Sequence, residues 1–186
     1  MPEQRNRDDD SIATELLGLY DLYRNALMNE KYFGNRLEFY RRANRAIEIL
    51  LAITASGAVG SWAVWDTTLG TYVWKALGAL SAILAIVKPI IQLSKQVELH
   101  SKVYIGYCSL YFDLKSLVNE IQRTHTFTKE LRRDQRQASD RYRHLALQVD
   151  FPPKRKLLLK CWEEVNRQIP PRDLWMPGLE GEKDEN

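Results

Sequence analysis

Residues Ile49–Trp65 read ILLAITASGAVGSWAVW, 17 residues without a charge, and the reading of this run decides the fold. A bilayer-spanning helix takes roughly 17–25 apolar residues, so the run is long enough. The loop DTTLGT follows at 66–71, and a second apolar run extends from Tyr72 to about Leu93. That second run carries Lys75 and Lys88, and it spans only if a lysine near its end reaches water along its own aliphatic stem. The pattern predicts an all-α protein in which residues 47–93 form a two-helix transmembrane hairpin continuing into a cytoplasmic helical bundle. The competing reading is a buried hairpin of a soluble bundle.

Three features favour the bilayer. Trp62, Trp65, Tyr72 and Trp74 cluster around the loop, where amphipathic rings sit at a membrane interface. Arg36, Arg41, Arg42 and Arg45 precede the first run, Lys95 and Lys102 follow the second, and the loop has neither Lys nor Arg. By the positive-inside rule both termini are then cytoplasmic. A soluble hairpin should also show a polar stripe on each helix, whereas the first run offers only Thr54, Ser56 and Ser61. The lipid bilayer is thus the expected partner.

Ala52, Ser56 and Gly60 recur every four residues, with Gly57 beside them, and Gly78 and Ala82 give a weaker version on the second run. Small residues at that spacing let helix backbones approach, so these positions are the expected packing and homo-oligomerisation face. Glu48 lies 17 residues before Trp65 and Lys88 lies 17 after Thr71, at similar depth about 25 Å from the turn. They read as an interfacial ion pair or independently snorkelling charges, or as a charged ring at the inner mouth of an oligomeric pore. Pro89 removes a backbone donor beside Lys88 and invites a kink.

The chain has 186 residues and a formal net charge of +3, which suits one ordinary domain and makes no case for nucleic acid. The first ten residues are polar, with no apolar core of a signal peptide, so the first run would itself act as the insertion signal. Cys108 and Cys161 lie far apart without a CxxC, as reduced core thiols do.

Along the chain, residues 1–10 read as a disordered polar lead. A single domain is expected over 11–170, with N-terminal helices at 11–46, the hairpin at 47–93 and cytoplasmic helices at 94–170. The first helix should run from Ser11 to about Asn29, with Ile12, Leu16, Leu19, Tyr23 and Ala26 as its stripe and a break at Gly34. A long helix is expected from about Thr71 to Arg123. Its coiled-coil-like seam is Leu93, Val97, His100, Tyr104, Tyr107, Tyr111, Leu114, Val118, Ile121 and His125. Thr128 should cap the next helix, with Leu131, Gln135, Ala138, Tyr142, Leu145 and Val149 facing inward. The outer face of that helix carries Lys129, Arg132, Arg133, Arg136, Arg141 and Arg143 and reads as solvated, with anionic lipid headgroups as the second reading. Asp150-Phe-Pro-Pro153 ends it. A last helix should start at Pro153 and reach about Gln168, before an extended acidic tail at 171–186.

No motif carries chemistry. GxxxxGK[ST], GxGxxG, HExxH and GxSxG are all missing, and His100, His125 and His144 are scattered without metal spacing. The sequence therefore points to no catalytic residue, cofactor or metal, and to a protein that is not an enzyme.

The run LEFYRRANRAIEILL leading into a small-residue-rich segment, followed by LSKQVELHSKVYIGYCSLYFDLKSLVNEI, resembles the SLATT domains, two-transmembrane effectors of bacterial conflict systems. Glu98, His100, Gly106 and Tyr107 fall in the part that is similar to that family's juxtamembrane helix, and LALQVDFPPKRKLLLKCW is similar to its closing segment. The resemblance covers about residues 11–170. Lys88-Pro89 and the basic helix at 129–143 depart from it. It implies an antiviral-defence effector of the bacterial inner membrane that is released by a regulatory protein partner or a nucleotide second-messenger pathway. Such an effector then oligomerises and permeabilises the membrane. The alternatives are a membrane-anchored helical adaptor that recruits a cytoplasmic partner without forming a pore, and a soluble helical scaffold.

Overall fold

Leu16, Leu19, Tyr23 and Ala26 recur at 3-4-3 spacing, which turns one apolar stripe of a helix toward whatever it packs against. In a computed structural model of the chain, which describes residues 2–55, 68–149 and 152–177, all four are buried. The described residues form helices and connecting turns. The helices are α1 (Pro2–Ala55), α2 (Thr68–Ile91), α3 (Leu93–Thr124), α4 (Lys129–Leu147) and α5 (Arg155–Gln168), and a 3-10 turn closes the order at Pro171–Asp173. The expected helical character holds.

The chain divides into two compact units. Unit 1 comprises Met1–Gly34 and Lys102–Asn186, and unit 2 comprises Asn35–Ser101. In unit 1, α1 runs antiparallel to α3. Tyr23 stacks on Tyr111 with ring centroids 5.3 Å apart, Phe33 stacks on Tyr107 at 5.5 Å, and Gly34 faces the ring of Tyr104. Helix α4 returns along α3, held by Arg141 on Asp113 and Ser109. It also lies beside α1, where Arg132 meets Glu15 at 3.0 Å and the Asn29 amide donates to Tyr142 at 3.1 Å. Helix α5 runs antiparallel to α1 through Arg24–Asn166, Lys31–Glu164 and the Lys154 amide donating to Tyr32. The centre is filled by Leu16, Leu19, Val103, Leu110, Leu114, Ile121 and Val165. Burying each such side chain is worth about 1.5–3 kcal/mol.

Several expectations hold in detail. Thr128 takes an extended conformation and its hydroxyl accepts from the Leu131 amide, so α4 begins where its N-cap residue dictates. The α3 seam is buried at Leu93, His100, Tyr107, Leu114, Val118 and Ile121, and Val103 and Leu110 widen it into a face that meets more than one helix. Cys108 and Cys161 are free thiols, both raised above their usual range by burial.

Other expectations are corrected. The break at Gly34 does not occur, and α1 passes through it. A Cβ there would lie 3.1 Å from the Tyr104 ring, so the glycine serves close packing rather than a turn. Helix α1 also begins at Pro2, inside the segment expected to be a disordered lead. The long helix expected from Thr71 to Arg123 is two helices parted at Gln92, which sits in the left-handed region at φ 49. Pro89, where the sequence invited a kink, lies within α2, three residues before the break. The chain restarts with the Gln92 carbonyl accepting from Lys95 and Gln96.

The largest correction concerns the membrane. Among the described residues no helix is long and apolar enough to cross a bilayer, which overturns the expected two-span inner-membrane placement. In α2 the residues from Ala76 to Val87 are all that lie between Lys75 and Lys88. Those 12 residues span about 18 Å at 1.5 Å per residue, against roughly 30 Å of hydrocarbon. Of the first apolar run only Ile49–Ala55, at the end of α1, lies within the described residues.

Candidate functional site

The residues expected to carry packing and charge belong to unit 2. Its buried described side chains are few: Arg36, Leu37, Ser81, Leu93 and His100. On α2, among the described side chains of the uncharged segment 76–87, Ser81 alone is buried, and Leu80, Ile83 and Ile86 are 46%, 57% and 66% exposed. Ala82 is exposed, and a Cβ placed on the expected packing residue Gly78 would meet nothing within 4 Å. On α1, Ala52, Ile49 and Ile53 are exposed as well. Unit 2 thus presents apolar helix faces, one of which carries the small residues singled out by their spacing. Ser56, Gly57, Gly60, Trp62 and Trp65 lie outside the described residues, as do the side chains of Trp74 and Lys88. Tyr72 is exposed. Glu48 is exposed and accepts from the Asn44 amide at 2.9 Å, one turn away on its own helix.

The residues of the family-like motif fall in different settings. Glu98 is exposed and His100 buried in unit 2. The His100 Nδ1 lies 2.8 Å from the Gln96 carbonyl, and the ring tilts against Tyr40 at 4.7 Å. Arg36 lies over the same Tyr40 ring and bonds its hydroxyl at 3.0 Å. Burial lowers the imidazole pKa below its usual value, the Gln96 carbonyl opposes that, and the Arg36 charge adds to it. Gly106 and Tyr107 belong to unit 1. A Cβ on Gly106 would run into the end of the Leu145 side chain, so this glycine makes room for Leu145 of α4 against α3.

Unit 1 also contains a cavity of about 200 Å³ lined by Asn29, Tyr32, Phe33, Tyr107, Tyr142 and Leu158, with Ala146, Val149 and Pro153 at its edge. Its aromatic walls meet at several angles. Phe33 and Tyr107 are parallel, Tyr32 is edge-on to Phe33, and Tyr142 is steeply inclined to Tyr107 at 5.7 Å. The sequence singled out only Tyr107 and Tyr142 from this group, as helix-seam residues. Asn29, Tyr32 and Phe33 belong to no motif, and the crowding of aromatics near the middle of α1 and α3 was the one available signal.

Among the described residues no group of three or more His, Cys, Asp and Glu side chains is placed to hold a metal ion. No known protein family, curated protein or solved structure matches the chain.

Proposed function

We propose that this protein is a non-catalytic helical adaptor that self-associates through the exposed face of α2, with unit 1 as its stably folded platform. One observation carries the reading: Leu80, Ile83 and Ile86 stand exposed on a helix segment without a charge. Clustered exposed apolar side chains mark interaction surfaces. A second copy of the same face suits this one. An isologous contact sets a patch against itself, and a patch without charges meets no like-charge repulsion when doubled. Gly78 and Ala82 on the exposed side permit a short interaxial distance. Permeabilisation of a membrane, which the family resemblance implied, depended on two spans and is not carried forward. Self-association and reception of a protein partner do not depend on them.

Sedimentation velocity of the full chain at tens of micromolar should show a dimer or larger closed oligomer. The double change Ile83→Glu with Ile86→Glu should give a monomer with unchanged helical circular dichroism. A wild-type chain that stays monomeric across that range would overturn the assignment, as would an oligomer indifferent to the double change.

A further inference from the structure

We infer that the aromatic cavity of unit 1 is a binding site for a small, uncharged planar ring with a donor–acceptor edge. Size sets the first limit. An apolar cavity of about 150 Å³ holds benzene, so about 200 Å³ accommodates one ring with a substituent. The walls set the second. Tyr32, Phe33, Tyr107 and Tyr142 give ring faces and ring edges at different inclinations, which suits a flat π-system better than a branched aliphatic group.

Hydrogen bonding sets the third limit. The two amide hydrogens of Asn29 are both committed, one to the Asn25 carbonyl at 3.0 Å and one to the Tyr142 hydroxyl at 3.1 Å. The Asn29 Oδ1 is left as an acceptor, and the Tyr142 hydroxyl, having accepted, keeps its own hydrogen to donate. Asn29 and Tyr142 therefore offer a ligand one acceptor and one donor side by side, the complement of a lactam edge.

Charge sets the last limit. No lining residue carries a formal charge, and burial pushes the Tyr107 phenol well above its usual range, so this wall stays neutral. An anion would enter without a paired cation in the lining, at a high desolvation cost. An aromatic box can instead hold a quaternary ammonium. Here, however, Lys31, Arg141, Arg143 and Lys154 adjoin the lining positions in sequence and outnumber Glu30 and Asp150, which disfavours a cation.

The test is a titration of the full chain, followed by amide chemical shifts, with three probes: 2-pyridone, benzene and tetramethylammonium. The expected order places 2-pyridone first, roughly five-fold tighter than benzene, the factor that one net hydrogen bond supplies. Tyr142→Phe should remove that advantage and leave benzene binding as it was. Ala146→Phe, which fills the cavity from its edge, should abolish binding of both rings while the helical circular dichroism is retained. Four results would overturn the inference: no shifts up to the solubility limit, equal affinity for 2-pyridone and benzene, tightest binding of tetramethylammonium, or binding that survives Ala146→Phe.

Discussion

The two units are built from the same kinds of residue and solve burial differently. Unit 1 surrounds α1 with α3, α4 and α5, and it sequesters Leu16, Leu19, Leu110, Leu114 and Ile121 completely. Unit 2 draws on the more apolar sequence, yet Ile49, Leu80, Ile83 and Ile86 remain exposed. A helix buries a stripe only where a neighbouring helix covers it. Apolar content is therefore no measure of core. In unit 1 it is spent inside the unit, and in unit 2 much of it stays exposed.

The sharpest way to break this comparison is truncation in each unit. Leu114→Ala, at a position with 0% exposure, should lower the unfolding free energy by about 2–5 kcal/mol in urea denaturation. Ile86→Ala should change the stability of the isolated chain by less than about 0.5 kcal/mol, as exposed sites do, while weakening self-association. Equal effects would erase the distinction between a filled core and a free face.

Glycine offers a second contrast with opposite signs. Gly106→Ala gains helix propensity of about 1 kcal/mol but drives a Cβ into Leu145, and overpacking of that kind costs about 1–3 kcal/mol. The net expectation is a loss of about 1 kcal/mol. Gly78→Ala meets nothing and should gain about 0.5–1 kcal/mol. Thermal melts of the two variants moving in the same direction would show that one of these glycines is wrongly placed.

The smallest expected effect lies at His100. Its pKa is held below the ordinary 6.5 mainly by burial, so the unfolded chain takes up the proton first. The stability contributed by neutral His100 is complete above about pH 6.5 and declines as the pH falls below it. Glu30, whose carboxyl is raised by burial, works in the opposite sense. The measurement is therefore the difference between wild type and His100→Gln from pH 7.5 to 5. The wild type should lose more stability over that range, and parallel curves would mean that the imidazole is no more desolvated in the folded chain than in the unfolded one.

Local signals were read well where the chain itself supplies the partner. Thr128 offers its hydroxyl three residues ahead of an amide on the same chain, so the start of α4 was legible. The stripe of α1 and the seam of α3 follow from 3.6-residue periodicity, and the end of α5 at Gln168 agrees with expectation. Gly34 and Gly106 were not legible, because their roles come from Tyr104 and Leu145, which are distant in sequence. The aromatic cavity was hidden for the same reason. Asn29 and Tyr142 are 113 positions apart, and nothing local marks either as half of a pair.

By itself the sequence determined that the described chain is helical, roughly where α4 and α5 begin and end, and which side of α1, α3 and α4 is apolar. Helix propensity, capping and periodicity act within a few residues and need no partner. Tertiary structure alone decided which apolar residues are covered, which glycines are close contacts rather than breaks, and that α2 and α3 part at Gln92. A run of apolar side chains looks the same in sequence whether its neighbour is lipid, another helix of its own chain or a second copy. Burial belongs to the pair of surfaces, and only the folded chain supplies the second one.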